Sequence, residues 1–204
     1  DLVRSRGLGD VYKRQIQNYK DFEEVNKVAQ EQDCDLIVMG SHGASGIREL
    51  FVGSNTEKVV RSSDLPVMVI KSKPEAFQLQ RIVMACDLDL ENISVYKKAE
   101  QFAESNGASL EMVYVHSAGA NFMGRDDVTQ RLEAFKQELG KDVNINFYDH
   151  NSVEKGILQY CFEKNADLLV IPTHGRKGLA RFIVGSLAET VSNHAKIPVM
   201  TIRI

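Results

Sequence analysis

The second half of the chain alternates short apolar runs with segments whose apolar residues recur at helical spacing. The apolar runs predict strands at Arg81–Cys86, Ser109–Val115, Asp142–Tyr148, Asp167–Ile171 and Pro198–Ile202. The periodic segments predict helices at Asn92–Ser105, Arg125–Leu139, Ser152–Asn165 and Leu179–Ala195. This alternation predicts an α/β fold, with an open, five-stranded, mainly parallel sheet covered by helices on both faces.

The chain contains an internal repeat. Residues 31–70 align with residues 163–202 without a gap at a constant offset of 132, and 16 of the 40 aligned positions are identical. Such self-similarity indicates two copies of one structural unit. The first copy predicts a helix, a strand, a helix and a strand at Tyr19–Gln30, Asp35–Met39, Ile47–Ser62 and Pro66–Ile70.

The two copies differ in length. Residues 80–146 have no counterpart upstream, so we expect the first copy to be partial and the chain to be a fragment of a tandem protein. We divide the chain into a segment at 1–15, the C-terminal part of the first copy at 16–72, a linker at 73–80 and a complete second copy at 81–204.

The first fifteen residues, DLVRSRGLGDVYKRQ, are net basic and show no periodicity. We interpret them as non-native sequence of adapter or vector origin and leave them out of the fold prediction. The alternative is a native basic arm.

Composition narrows the function classes. The net charge of −3 does not favour a nucleic-acid partner, and no apolar stretch approaches the length of a membrane span. Cys34, Cys86 and Cys161 follow no disulfide or metal pattern, which favours buried thiols in a reducing cytoplasm. The scattered histidines His116, His150 and His194 have no metal-ligand spacing.

Glycines follow the predicted strand Asp35–Met39. Gly40 directly follows it and Gly43 comes three residues later, while Gly53 and Ser54 follow after nine intervening residues. Glycine lets the backbone turn sharply and approach a ligand, and free N–H groups before a helix suit a phosphate. The pattern predicts a phosphate site.

The spacing G-x2-G-x9-G-S resembles the nucleotide-binding signature of the universal stress protein family, and the resemblance covers about residues 19–204. It implies a Rossmann-like, adenine nucleotide α-hydrolase-like sheet with strand order 3-2-1-4-5 and a ligand between the first and fourth strands. It also implies that Asp87 meets the adenosine and that Val115 lies against the adenine. The implied ligand is ATP, with or without Mg²⁺.

The second copy departs from this signature at one position. Pro172 replaces the first glycine, whereas Gly175, Gly185 and Ser186 are kept. Proline has no N–H and fixes φ, so one backbone contact to a phosphate is expected to be lost. The adjacent Arg176-Lys177 pair adds positive charge that could compensate.

Three functions remain open. The resemblance favours a cytoplasmic, ATP-binding regulator or sensor in the stress response, without catalytic residues. One alternative is a dimerisation or interaction module that binds no nucleotide. The other is a slow ATP hydrolase, although Asp87-Leu88-Asp89 stands where related enzymes carry a serine-glycine-glycine loop. His42 and His174 have no matched nucleophile or carboxylate beside them, which favours a structural role for both.

The resemblance also implies how the copies pair. Members of the family dimerise through their last strands, so we expect Pro66–Ile70 to pair antiparallel with Pro198–Ile202 within this chain. Pairing would cover both strand edges. The partial first copy should expose apolar surface, which favours a homo-oligomer or another partner.

Overall fold

The computed structural model describes residues 22–40, 54–70, 78–117, 124–174, 195 and 197–204. The strands in this part of the chain are β1 (Ile37–Gly40), β2 (Val67–Ile70), β3 (Arg81–Ala85), β4 (Ser109–His116), β5 (Ile145–Asp149), β6 (Leu168–Thr173) and β7 (Val199–Arg203). The helices are α1 (Phe22–Glu31), α2 (Ser54–Ser62), α3 (Ile93–Ser105), α4 (Arg125–Leu139) and α5 (Val153–Glu163), with a 3₁₀ turn at Leu90–Asn92 before α3.

All seven strands form one sheet in the order β1-β2-β7-β6-β3-β4-β5. Every neighbouring pair is parallel except β2 and β7. The predicted α/β class with a mainly parallel sheet is therefore confirmed. Numbered within the second copy, the strands lie in the order 3-2-1-4-5, as the family resemblance implies.

The two copies meet at the antiparallel β2–β7 pair. Met68 lies opposite Met200, flanked by the pairs Val67–Thr201 and Val69–Val199. This is the intramolecular pairing expected between the two last strands. Two further contacts cross the junction: the Thr201 hydroxyl donates to the Val67 carbonyl at 3.3 Å, and Arg203 forms an ion pair with Asp64.

Side chains from the two faces of the sheet enter separate cores. Helices α3 and α4 cover one face, where the buried set includes Met84, Tyr96, Met112, Phe135 and Met200. Helix α5 covers the other face of the second copy, with Val83, Val113, Ile157, Tyr160 and Leu169. Helices α1 and α2 pack over β1 and β2 through Ala29, Ile37, Val59, Val67 and Val69.

Several predicted boundaries hold and some shift. The Ser152 side chain caps α5 by accepting the Lys155 N–H at 3.3 Å, and α4 ends at Gly140 with φ 74°. The strand predicted from Asp142 begins at Ile145, where the register with β4 starts opposite Met112. Residues 179–194 of the last predicted helix, 47–53 of the second helix and 1–15 lie outside the described part of the chain.

Strand β1 is an edge of the sheet, and the Val38 side chain there is 57% exposed. Phe147 on the opposite edge strand, β5, is also exposed, at 51%, so extra apolar exposure of the first copy stays a prediction. Among the described residues, no helix is both long and apolar enough to cross a membrane.

Candidate functional site

Strand β3 stops before the strands on either side of it. Its register with β4 ends at Ala85–Val113, and its register with β6 ends at Met84–Val170. The flanking strands continue to His116 and Thr173. We call the resulting space beyond Ala85, between β4 and β6, the notch. It lies at the carboxyl ends of parallel strands where the strand order reverses, which is where open α/β sheets bind ligands.

Val115 contributes its main chain to the notch. The Val113 carbonyl accepts the Cys86 N–H at 3.0 Å, whereas the Met112 N–H bonds to Asn144 on the far side of the strand. Because successive residues of a strand direct their polar groups to opposite sides, the N–H and C=O of Val115 face the notch.

The Val115 side chain, in contrast, is not accessible from the notch. It is 8% exposed, and it packs against α5. A Cβ at Gly156 would lie 2.7 Å from Val115 Cγ1, so glycine is what allows α5 to approach this closely. The main chain of Val115, more than its side chain, is therefore available to a ligand.

Pro172 forms part of the opposite wall. The Leu169 N–H bonds to the Pro198 carbonyl, and the Thr173 carbonyl accepts the Ile204 N–H, so odd-numbered residues of β6 face β7. The Pro172 nitrogen therefore faces the notch, beyond the last β3–β6 pair. Proline is tolerated in this inner strand because no ladder bond is needed there. It also leaves the notch without one N–H donor.

Asp87 leaves the end of β3 and is partly buried. Leu88 follows with φ 64°, a left-handed conformation that turns the chain away from the strand. Asp87 Oδ1 accepts the Asp89 N–H at 3.0 Å and also accepts a hydrogen bond from the Asn92 side-chain amide. Asp89 Oδ1 accepts the Glu91 N–H at 3.2 Å and so caps the 3₁₀ turn.

His174 connects the two sides of the switch point. It follows β6 directly, and its Nε2 lies 3.1 Å from Glu91 Oε2 in the turn after β3. The sequence showed no matched carboxylate beside the loop histidines, whereas the structure places the Glu91 carboxylate beside His174. The counterpart His42 lies outside the described residues.

The charge around the end of β3 determines which ligand groups fit. Asp87, Asp89 and Glu91 make this side acidic, so it favours hydrogen-bond donors over phosphate. Burial raises the pKa of the neighbouring Cys86 thiol to about 12, and its sulfur accepts the Leu88 N–H at 3.2 Å. Cys86 is thus a neutral core group and not a nucleophile.

Of the predicted site residues, the structure places Asp87 and Val115 at one notch. Gly40 ends β1, and its carbonyl accepts the Thr56 hydroxyl at 3.0 Å, while Ser54 begins α2. The remaining predicted positions lie outside the described residues: Gly43, Gly53, Gly175, Gly185 and Ser186.

The sequence analysis missed three residues near the notch: Glu91, Asn92 and Gly156. The polar turn from Asp87 to Asn92 signalled the first two only weakly, because spacing does not show which side chain turns inward. In the part of the chain that the structure describes, no group of three or more His, Cys, Asp or Glu side chains is arranged to hold a metal ion.

A second concavity lies on the α4 side of the same turn. This open groove measures about 320 Å³. It is lined by Leu88, Asp89, Leu90, Gln130, Arg131 and Ala134.

The family model and the related sequences that match this chain all point to the same family. A family model described as the universal stress protein family matches residues 2–71 and 78–203. A universal stress protein of Mycolicibacterium smegmatis is 24% identical over 189 residues, covering 84% of this chain and 63% of the relative. The chain therefore spans less than two thirds of that relative's length. One of Methanocaldococcus jannaschii is 45% identical over 51 residues, which are 25% of this chain and 32% of the relative.

Solved structures agree on the fold. A universal stress protein from Archaeoglobus fulgidus superposes with a TM-score of 0.64 at 24% identity, covering 89% of this chain and 64% of that chain. A protein from Pseudomonas aeruginosa, described as a putative universal stress protein, gives a TM-score of 0.68 at 19% identity, covering 88% of this chain and 66% of that chain.

Proposed function

Because the chain belongs to the universal stress protein family, we propose that it binds adenine nucleotides and acts as a regulator or sensor in a cytoplasmic stress response. ATP, with or without Mg²⁺, is the proposed ligand. The protein works by binding and not by fast catalysis, and no described residue is assigned a catalytic role.

The observation that carries the proposal is the notch, which has Asp87 beyond the end of β3 and the main-chain N–H and C=O of Val115 on its β4 side. An adenine ring presents both donors and acceptors at its edge, which a main-chain N–H and C=O can match. The Asp87 carboxylate accepts hydrogen bonds from the sugar or base. The notch therefore holds the nucleoside part of the ligand.

The phosphates belong at the glycine loops. In the second copy the proposed contacts are Gly175, Gly185 and Ser186, with Arg176 and Lys177 supplying charge. In the first copy they are Gly40, Gly43, Gly53 and Ser54. Neutral and basic donors in these loops suit phosphates better than the acidic turn at Asp87, where repulsion would oppose them.

Titration calorimetry with ATP tests the proposal. The wild-type chain should bind, and Asp87→Ala should weaken binding about tenfold or more, the usual effect of losing one hydrogen bond to a charged group. Asp126→Ala, which removes an exposed carboxylate from the first turn of α4, is the matched control and should bind normally. No heat from the wild-type chain at high protein concentration would contradict nucleotide binding.

Pro172 favours one alternative, an interaction module that binds no nucleotide. Its nitrogen faces the notch and cannot donate, so the second copy offers a ligand one contact fewer. An absence of ATP binding by the wild-type chain, together with normal folding, would favour this alternative. A slow ATP hydrolase would require phosphate release above that of a protein-free control.

A further inference from the structure

Asn92 is a buried polar residue of the second copy, at 2% exposure. It ends the 3₁₀ turn, five positions after Asp87 in the sequence. Its side-chain amide donates to Asp87 Oδ1, which also accepts the Asp89 N–H at 3.0 Å. Two donors on one oxygen restrain the rotation of the Asp87 carboxylate.

The second carboxylate oxygen of Asp87 has a different environment. No described residue donates a hydrogen bond to Oδ2, whereas Oδ1 is occupied by the turn. An ionised carboxylate only accepts hydrogen bonds. The ligand group that meets Oδ2 must therefore be a donor, such as a sugar hydroxyl, and not a phosphate oxygen.

Asn92 is costly as a packing residue. Its own Oδ1 is buried without a hydrogen-bond partner among the described residues. A buried acceptor that lacks a partner destabilises the folded state, and an apolar side chain of similar size would avoid this cost. The hydrogen bond from its amide to Asp87 offsets this cost. The burial of Asn92 is therefore linked to the orientation of the Asp87 carboxylate.

From this geometry we infer that Asn92 is a positioning residue, which holds Asp87 with Oδ2 presented to a ribose hydroxyl of the bound nucleotide. The ligand part of this inference rests on the proposed function, whereas the restraint on Asp87 does not.

The test compares ATP with 2′,3′-dideoxy-ATP by titration calorimetry. The wild-type chain should bind ATP about tenfold more tightly, because the dideoxy analogue lacks the donor to Oδ2. Asn92→Leu should lower ATP affinity and bring the ratio of the two affinities close to one. Asn92→Ser serves if the leucine variant does not fold. Asn106→Leu, at the other end of α3, is the matched control, because Asn106 bonds to the Phe102 carbonyl far from Asp87.

A ligand-free measurement separates this inference from the proposed function. The χ1 rotamer of Asp87, measured by NMR scalar couplings, should be single in the wild-type chain and averaged in the Asn92 variants. If Asn92→Leu keeps the nucleotide ratio, or keeps a single Asp87 rotamer, the inference is overturned. If the wild-type chain binds neither nucleotide, the proposed function fails, and the Asp87 rotamer alone decides whether Asn92 positions it.

Discussion

Met68 and Met200, which occupy the same position in the two copies, lie directly opposite each other in the β2–β7 ladder. The two methionines are 132 residues apart in the sequence, which is the offset of the repeat. The same offset converts the flanking pair Val67–Thr201 into the other flanking pair, Val69–Val199. A local twofold axis therefore passes between the two methionines, and the duplicated sequence uses one strand twice to join its copies.

Truncating this junction should destabilise the chain. Met200 is 1% exposed and Met68 is 3% exposed, so Met200→Ala leaves a cavity between the copies. We expect a loss of about 2–5 kcal/mol in unfolding free energy, measured by urea denaturation. Val38→Ala, at an exposed position on β1, is the control and should change little. A loss below about 1 kcal/mol for Met200→Ala would contradict tight packing at the axis.

Replacing Gly156 with alanine should destabilise the chain. In Gly156→Ala, the new Cβ would meet Val115 Cγ1 at 2.7 Å and His150 Cβ at 2.9 Å, so α5 must move away from β4. Alanine normally gains about 1 kcal/mol over glycine inside a helix, so a net loss of about 1–3 kcal/mol would reveal the clash. Lys155→Ala, an exposed change on the same helix, should be near neutral. A more stable Gly156→Ala variant would refute the close approach.

The three thiols should react unequally. Cys34 is exposed, whereas burial raises the pKa of Cys86 and of Cys161 to about 12. An aromatic disulfide reagent at pH 8 should label one thiol rapidly in the folded chain and all three after denaturation. The pKa values of Cys86 and Cys161 are higher in the folded chain than in the unfolded chain. The stability that these two thiols contribute is therefore present below the unfolded pKa and is lost as pH rises through the folded pKa. Rapid labelling of Cys86 in the folded chain would contradict its burial.

Glu100 should add a pH-dependent term to stability. Partial burial opposes its ionisation, but Lys141 and the Tyr96 hydroxyl, 2.8 Å from Oε1, outweigh this and lower the pKa of Glu100. With the folded pKa below the unfolded one, the stability is present above the unfolded pKa and is lost as pH falls through the folded value.

The variant that tests this term is Lys141→Met. It should be less stable than wild type at neutral pH, and the difference should shrink below about pH 4, as thermal unfolding across pH can measure. Lys97→Met, another exposed lysine change, should show no such trend. A stability difference that stays constant from pH 7 to acid would contradict the role of Glu100.

Much of the fold could be predicted because it depends on periodicity. The alternation of strands and helices follows from residue patterns, whereas the β2–β7 pairing was implied by the family resemblance. The start of β5 was predicted three residues early because the apolar alternation begins at Val143, before the strand pairing starts at Ile145.

The site was predictable only in part. The roles of Asp87 and Val115 were implied by the family resemblance, whereas the contribution of Val115 through its main chain follows from the strand register. The inward turn of Asn92 depends on Leu88 adopting φ 64°. A leucine in the sequence gives no indication of this left-handed conformation. The tolerance of Pro172 likewise depends on β3 ending early, a property of its neighbours and not of its own segment.

The central claim is that the notch receives the nucleoside of an adenine nucleotide, and an NMR titration of the isotope-labelled chain with ATP tests it most directly. We predict saturable amide shifts concentrated at Val115, whose N–H faces the notch, and at Asp87 to Asn92, with little change in β2 and β7. Saturable binding that shifts amides elsewhere and leaves Val115 and Asp87 unchanged, or no shifts at all, would contradict the claim.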